Sequence, residues 1–161
     1  MLARIEQLSE KTLICKSVRM SLAMNKTSEL WQSFMTEKKA IENTIGTDLY
    51  SIQVYDTLEY FNSFNPQTEF TKYAAIAVSS IKSIPNGFSS KVLKSGLYAV
   101  FLHKGPVSSF PKTIQYIFNL WLPNSIYELD HRPHFELLGE KYKNNDPTSE
   151  EEVWIPIKLK K

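Results

Sequence analysis

Only two stretches of this chain repeat their apolar side chains at the 3.6-residue period of a helix, so the sequence must build its core from two helices set against strands. The first runs from Glu29 to Ile45, with Leu30, Trp31, Phe34, Met35, Ile41 and Ile45 on one stripe, and Asn25 to Ser28 offer caps before it. Gly46 is placed to end it, since glycine tolerates the left-handed turn that closes a helix. The second runs from Phe110 to Leu122, with Phe110, Ile114, Ile117, Phe118 and Trp121 on its stripe. Ser108 and Ser109 precede it as caps, and Pro111 sits in the first turn, where a missing N–H does no harm.

The remaining apolar runs have strand character. Leu2 to Leu8, Lys11 to Leu22, Asp48 to Asp56 and Phe70 to Val78 lie in the first half, with a loop around Asn62, Asn65 and Pro66. Ile81 to Ser90, carrying Pro85, Asn86 and Gly87, breaks the chain. Val92 to His103, Tyr127 to Asp130, His134 to Leu138 and Glu152 to Lys160 are the strand-like runs that follow. The order is strand, helix, strand, strand, written twice, over halves of about 1–80 and 91–161. That order predicts an α+β fold: a tandem pseudo-two-fold repeat of two antiparallel sheets side by side, one helix on each. A ligand cleft is expected between the halves.

At 161 residues the chain fits one domain, 1–161, and its 42% hydrophobic content suffices for a core. Net charge is +2, and Lys158, Lys160 and Lys161 form the one basic concentration, on a terminal strand where lysines keep an edge soluble. Without a basic stripe or helix-turn-helix pattern, direct nucleic-acid binding is not expected. The single Cys15 excludes an internal disulfide. No leader pattern is present and no apolar run reaches the roughly 18 residues of a membrane span, so the expected place is the cytoplasm, off the membrane. Asp130, His131 and His134 superficially suggest a metal, but Arg132-Pro133 prevents the helix that would align both histidines. With no glycine-rich phosphate loop either, neither metal nor cofactor is expected.

Four segments carry a family resemblance. Gly96 to Pro106 (Gly-Leu-Tyr-Ala-Val-Phe-Leu-His-Lys-Gly-Pro) is followed by Trp121-Leu122-Pro123-Asn124-Ser125, then Arg132-Pro133-His134-Phe135-Glu136. Asp146-Pro147 then leads into Glu152-Val153-Trp154-Ile155-Pro156-Ile157. In that order and spacing the sequence resembles the GyrI-like family, the effector-binding domains of AraC-type and MerR-type multidrug-sensing regulators and of stand-alone gyrase-inhibitory-type proteins. The resemblance implies a drug-sized pocket between halves, where an acidic residue among aromatic rings receives lipophilic cations. That residue falls on Glu136. With no room for a DNA-binding domain, the chain resembles the stand-alone members.

Glu136 stands in the apolar run Phe135-Glu136-Leu137-Leu138, where its carboxylate either faces solvent or faces inward and needs a cation or a hydrogen-bond donor. Tyr98, Trp121 and Trp154, with Tyr50, Tyr55 and Tyr73 from the first half, are the candidate aromatic walls, because ring faces add to the attraction for a cation. Trp154 alternates against Val153, Ile155 and Ile157, which would leave an exposed Trp in need of a partner, and Glu152 shares its side.

The leading expectation is a binding protein, a sensor or sequestering module for an amphipathic, cationic organic molecule. The alternative is a small hydrolase of reactive, cyclopropanoid-type compounds, with Glu136 as general base and Tyr98 beside it. A third reading, an interaction protein that inhibits a larger protein partner, also stays open.

Overall fold

A computed structural model describes residues 2–62 and 65–161. Among the described residues nine strands alternate with two main helices: β1 (Ala3–Leu8), β2 (Lys11–Met20), α1 (Thr27–Glu37), β3 (Thr44–Val54), β4 (Phe70–Val78), β5 (Ser89–Leu93), β6 (Gly96–Lys104), α2 (Phe110–Tyr116), β7 (Tyr127–Leu129), β8 (His134–Leu138) and β9 (Glu150–Leu159). A short 3₁₀ turn, Leu58–Asn62, follows β3. Beyond α2 the helix widens into a π-helical segment, Ile117–Trp121, and ends in one turn at Leu122–Asn124. Pro123 accounts for the widening: its ring would crowd the carbonyl of Asn119 one turn back, and the π turn relieves that clash.

The strands join in one antiparallel sheet in the order β1-β6-β9-β8-β3-β4-β2-β5, with β7 added to β9. Only two residues link β1 to β2, and two link β5 to β6. Such links reach about 11 Å, yet they connect opposite ends of the strand order. The sheet must therefore curl until its ends approach, leaving an inner and an outer face. The inner face is a single apolar cluster drawn from Leu13 and Cys15 (β2), Tyr50 and Ile52 (β3), Tyr98 and Val100 (β6), Phe135 (β8) and Trp154 (β9), among others. On the outer face α1 packs Leu30 and Phe34 over Ile14, Ala74 and Ile76. Ile117, in the π segment, packs over Ala99, Phe101, Val153 and Ile155.

Several expectations are corrected by this arrangement. The two sheets are one, because β3 and β8 pair directly from Leu49↔Leu138 to Gln53↔His134. The first helix stops at Glu37, with a 3₁₀ turn at Lys38–Ala40, and Ile45 and Gly46 belong to β3. Its expected stop is replaced by Asn43 in the left-handed region, and Gly46, also left-handed, sits where the β3–β4 register slips between Thr44 and Leu49. The run Val92 to His103 is two strands: β5 pairs with β2, and β6 with β1 and β9. The polar loop around Asn62 and Asn65 crosses Ser63 and Phe64, which lie outside the described residues. Among the described residues no helix is long and apolar enough to cross a membrane.

Candidate functional site

The site lies on the outer face of the central strands, in the gap between the two helices. Strand parity puts it there. Directly paired residues of an antiparallel sheet share a face, and the pairs Ser51↔Glu136, Gln53↔His134 and Gln53↔Lys72 run across β8, β3 and β4. Ser51 also pairs with Ala74, which packs under α1. Glu136 pairs with Val153, which packs under α2. The polar row is therefore flanked by the floors of both helices. Glu151 lies two residues before Val153 on β9 and follows its parity.

Three charged groups meet in this row. Glu136 Oε1 accepts a hydrogen bond from Gln53 Nε2 at 3.0 Å, and Lys72 Nζ stands 3.8 Å from the same oxygen. Lys72 is buried, at 8% exposure, and Glu136 is largely buried, at 13%. Burial raises the Glu136 carboxyl above its ordinary range, opposed by Lys72 and the Gln53 hydrogen bond. Burial likewise lowers Lys72, opposed by Glu136 and Glu151. Glu151 is pushed up to about 7, first by burial and then by the charge of Glu136, with Lys72 pulling the other way. Tyr142 feels the same carboxylates: burial, then Glu151 and Glu136, raise its phenol. His134 is held neutral, its pKa brought down to about 3 by burial and by the positive charges of Arg132 and His131.

At the His134 end of this floor lies a cluster of rings. Phe61, from the 3₁₀ turn, Phe118 of the π segment and His134 form a triangle of near-parallel rings, with centroids 5.6 Å (Phe61–Phe118), 5.3 Å (Phe61–His134) and 6.3 Å (Phe118–His134) apart. Tyr55 closes one side, edge-on to His134 at 5.0 Å and to Phe61 at 4.8 Å. Two hollows lie elsewhere: one of about 450 Å³ beside α1 and the loop at Gly87, the other of about 440 Å³ near Leu102 and Thr113. Among the described residues, no group of three or more His, Cys, Asp or Glu side chains is placed to hold a metal ion.

Of the residues singled out from sequence, Glu136 and Tyr55 both lie on this face, Glu136 beside Gln53 and Lys72 and Tyr55 against His134. Tyr98 and Trp154 lie in the inner cluster, and Tyr73 packs against it. The Tyr98 hydroxyl donates to the carbonyl of Pro133 at 2.7 Å, and Arg132 stacks over its ring at 4.8 Å. Trp154 stacks on Phe135 and donates to Glu152 Oε1 at 3.0 Å, so the residue expected to stand exposed is covered by the curl of the sheet. Tyr73 carries Lys91 over its ring, and Trp121 meets Phe101 and Tyr127 in the packing of the second helix. Lys72, Gln53, Glu151, Phe61 and Phe118 were not anticipated as site residues. Lys72 did leave a signal, a lone charge inside the apolar run Phe70 to Val78, and Glu151 shares the parity of three buried aliphatics. Phe61 left none, because it lies in a segment without periodicity.

Comparison with known proteins follows the same lines. The model of the family described as GyrI-like small molecule binding domain matches residues 1–158. No curated protein matches the sequence. Among solved structures, SAV2435 bound to tetraphenylphosphonium superposes with a TM-score of 0.75 at 16% identity, over 98% of this chain and 94% of that one. The C-terminal domain of EcmrR superposes with a TM-score of 0.75 at 15% identity, over 99% and 98%. A hydrolase from Listeria innocua gives 0.62 at 10% identity, over 97% and 91%. At such identities the likeness is one of fold. The family model, which spans nearly the whole sequence, carries the assignment: this chain belongs to the GyrI-like small-molecule-binding domains.

Proposed function

We propose that this chain binds a lipophilic, aromatic organic cation in the gap between its two helices, over Glu136, and serves as a sensor or sequestering module. The observation that carries the reading is a largely buried carboxylate, Glu136, on the same face of β8 as His134, around which Phe61, Phe118 and Tyr55 gather. A carboxylate withdrawn from water gains from an incoming cation, and ring faces add to that attraction. The order β6-β9-β8 followed by β3-β4-β2 supports treating the two halves as copies that meet at β3 and β8, which makes the gap a junction between halves. SAV2435, of similar fold, is bound to tetraphenylphosphonium, a cation of this kind.

The test is calorimetric titration with tetraphenylphosphonium. Micromolar affinity corresponds to about 8 kcal/mol. Removing one desolvated charge in Glu136→Gln is expected to weaken binding about 10- to 100-fold, equivalent to about 1.4–2.8 kcal/mol. Equal affinity of both proteins would overturn the assignment of Glu136.

A second reading, hydrolysis of a reactive small molecule, is favoured by Glu151. A carboxyl whose pKa lies near 7 is suited to general acid–base work, and Tyr142 feels its charge. The expected Glu136–Tyr98 pair is not assembled, because those side chains lie on opposite faces of the sheet. Turnover of an electrophilic cyclopropanoid that disappears in Glu151→Gln would replace the binding reading with this one.

A further inference from the structure

We propose that Lys72 is the site's own counter-cation and sets the charge of the accepted ligand at one. The inference rests on the reading of the interhelical gap as an aromatic-cation site, and it adds the residue that selects among such cations.

The gap holds two carboxylates, Glu136 and Glu151, and one ammonium, Lys72. The charges that bear on Glu151 are those of Glu136 and Lys72, and both carboxylates bear on Lys72. His134, the other ionisable ring on this floor, is neutral and takes part as a stacking surface. Arg132, which bears on His134, is already paired with Asp130 at 2.9 Å, and His131 is exposed and hydrogen-bonded to the carbonyl of Tyr55, so with Glu136, Glu151 and Lys72 ionised the floor carries one surplus negative charge. A buried charge without a partner is unfavourable, and a buried set that sums to zero is far less so. Without a ligand, Glu151 meets the surplus by taking up a proton near neutrality, in keeping with its displaced pKa. A monocation would meet the surplus in its place. A dication would leave one positive charge uncompensated, and a neutral guest would leave the deficit standing.

Lys72 is fixed in this role by its place in the fold. It rises from the middle of β4, hydrogen-bonded between β2 and β3, and its side chain is almost wholly buried. Unlike a surface lysine it cannot withdraw to solvent when a ligand enters, so its charge stays in the count.

Three triarylmethane dyes of similar size supply the charge series: leuco crystal violet (neutral), crystal violet (one positive charge) and methyl green (two). Binding is measured at pH 8, where Glu151 is ionised. The wild-type protein is expected to favour the monocation over both others by about tenfold. In Lys72→Met the floor holds two negative charges, and the dication is expected to overtake the monocation by about tenfold. In Glu151→Gln the floor is neutral, and the uncharged dye is expected to gain on the monocation by a similar factor. Glu151→Gln alone decides the matter if Lys72→Met fails to fold by circular dichroism. If the variants keep the wild-type order of dyes, the counter-cation role is overturned while the aromatic-cation site stands. If wild-type protein binds none of the three, both fall together.

Discussion

Phe61 lies nearly face to face with His134, their ring centroids 5.3 Å apart and their planes 26° from parallel. A benzene ring thus already occupies the His134 end of the face where a ligand ring is proposed to go. The arrangement is an internal occupant, held by its own stacking and by contact with Phe118 and Tyr55.

Removing that occupant has opposite effects on stability and binding. Phe61→Ala deletes a partly buried ring, and since full burial of such a ring is worth about 3–5 kcal/mol, a loss of roughly 1–3 kcal/mol is expected. The same change spares an incoming cation the work of displacement, so affinity for tetraphenylphosphonium is expected to rise by about threefold to tenfold. Urea denaturation and calorimetry on one preparation measure both. A loss of both stability and affinity would mean that Phe61 is part of the bound site.

Tyr98 and the ligand are expected to be independent. Its ring lies in the inner cluster, on the other face from Glu136, and its hydroxyl donates to the carbonyl of Pro133. Tyr98→Phe strands that carbonyl and is expected to destabilise the fold by about 1–2 kcal/mol, with ligand affinity unchanged within twofold. A tenfold loss of affinity in a folded Tyr98→Phe protein would place the pocket on the inner face.

Stability carries two opposed pH windows. Glu151 has its pKa raised in the folded state, from 4.5 to about 7. Its contribution is fully present below about pH 4.5 and is lost as the pH rises through 7. His134 is lowered, from 6.5 to about 3, so its contribution is present above pH 6.5 and is lost as the pH falls towards 3. In thermal melts Glu151→Gln is expected to flatten the decline between pH 5 and 8, and His134→Gln to reduce the acid-side decline between pH 6 and 4. An unaltered alkaline limb in Glu151→Gln would refute the first assignment, and an unaltered acid limb in His134→Gln the second.

Gly96 is required by the guanidinium of Arg132. A Cβ at position 96 would overlap Arg132 Nη1 and come within 2.6 Å of Cζ. That guanidinium donates to Asp130 at 2.9 Å and to the carbonyls of Leu97 at 2.6 Å and Ile157 at 3.0 Å, tying the β7–β8 link to β6 and β9. Gly96→Ala must displace it and break part of this set, for an expected loss of about 2–4 kcal/mol in chemical denaturation. A loss below about 0.5 kcal/mol, the usual range for a surface change, would show that Arg132 relocates freely.

What the sequence determined by itself was the inventory and order of elements, and the reason is local. A 3.6-residue stripe such as Phe110, Ile114, Ile117 and Trp121 can face a sheet only as a helix, and alternation such as Val153, Ile155 and Ile157 can do so only as a strand. It also marked Glu136 as a carboxylate in an apolar strand. Three things were decided only in three dimensions. Curling of the sheet put Tyr98 and Trp154 inside, because two-residue links join its opposite ends and cover a face that alternation alone leaves open. The pairing of β3 with β8 brought Gln53 and Lys72 to Glu136, residues 83 and 64 positions away in the chain, a distance at which no local pattern carries information. The aromatic cluster at the His134 end of the same face depends on Phe61, whose place is set by packing against His134 and Phe118, since a segment without periodicity carries no mark of where its ring will go.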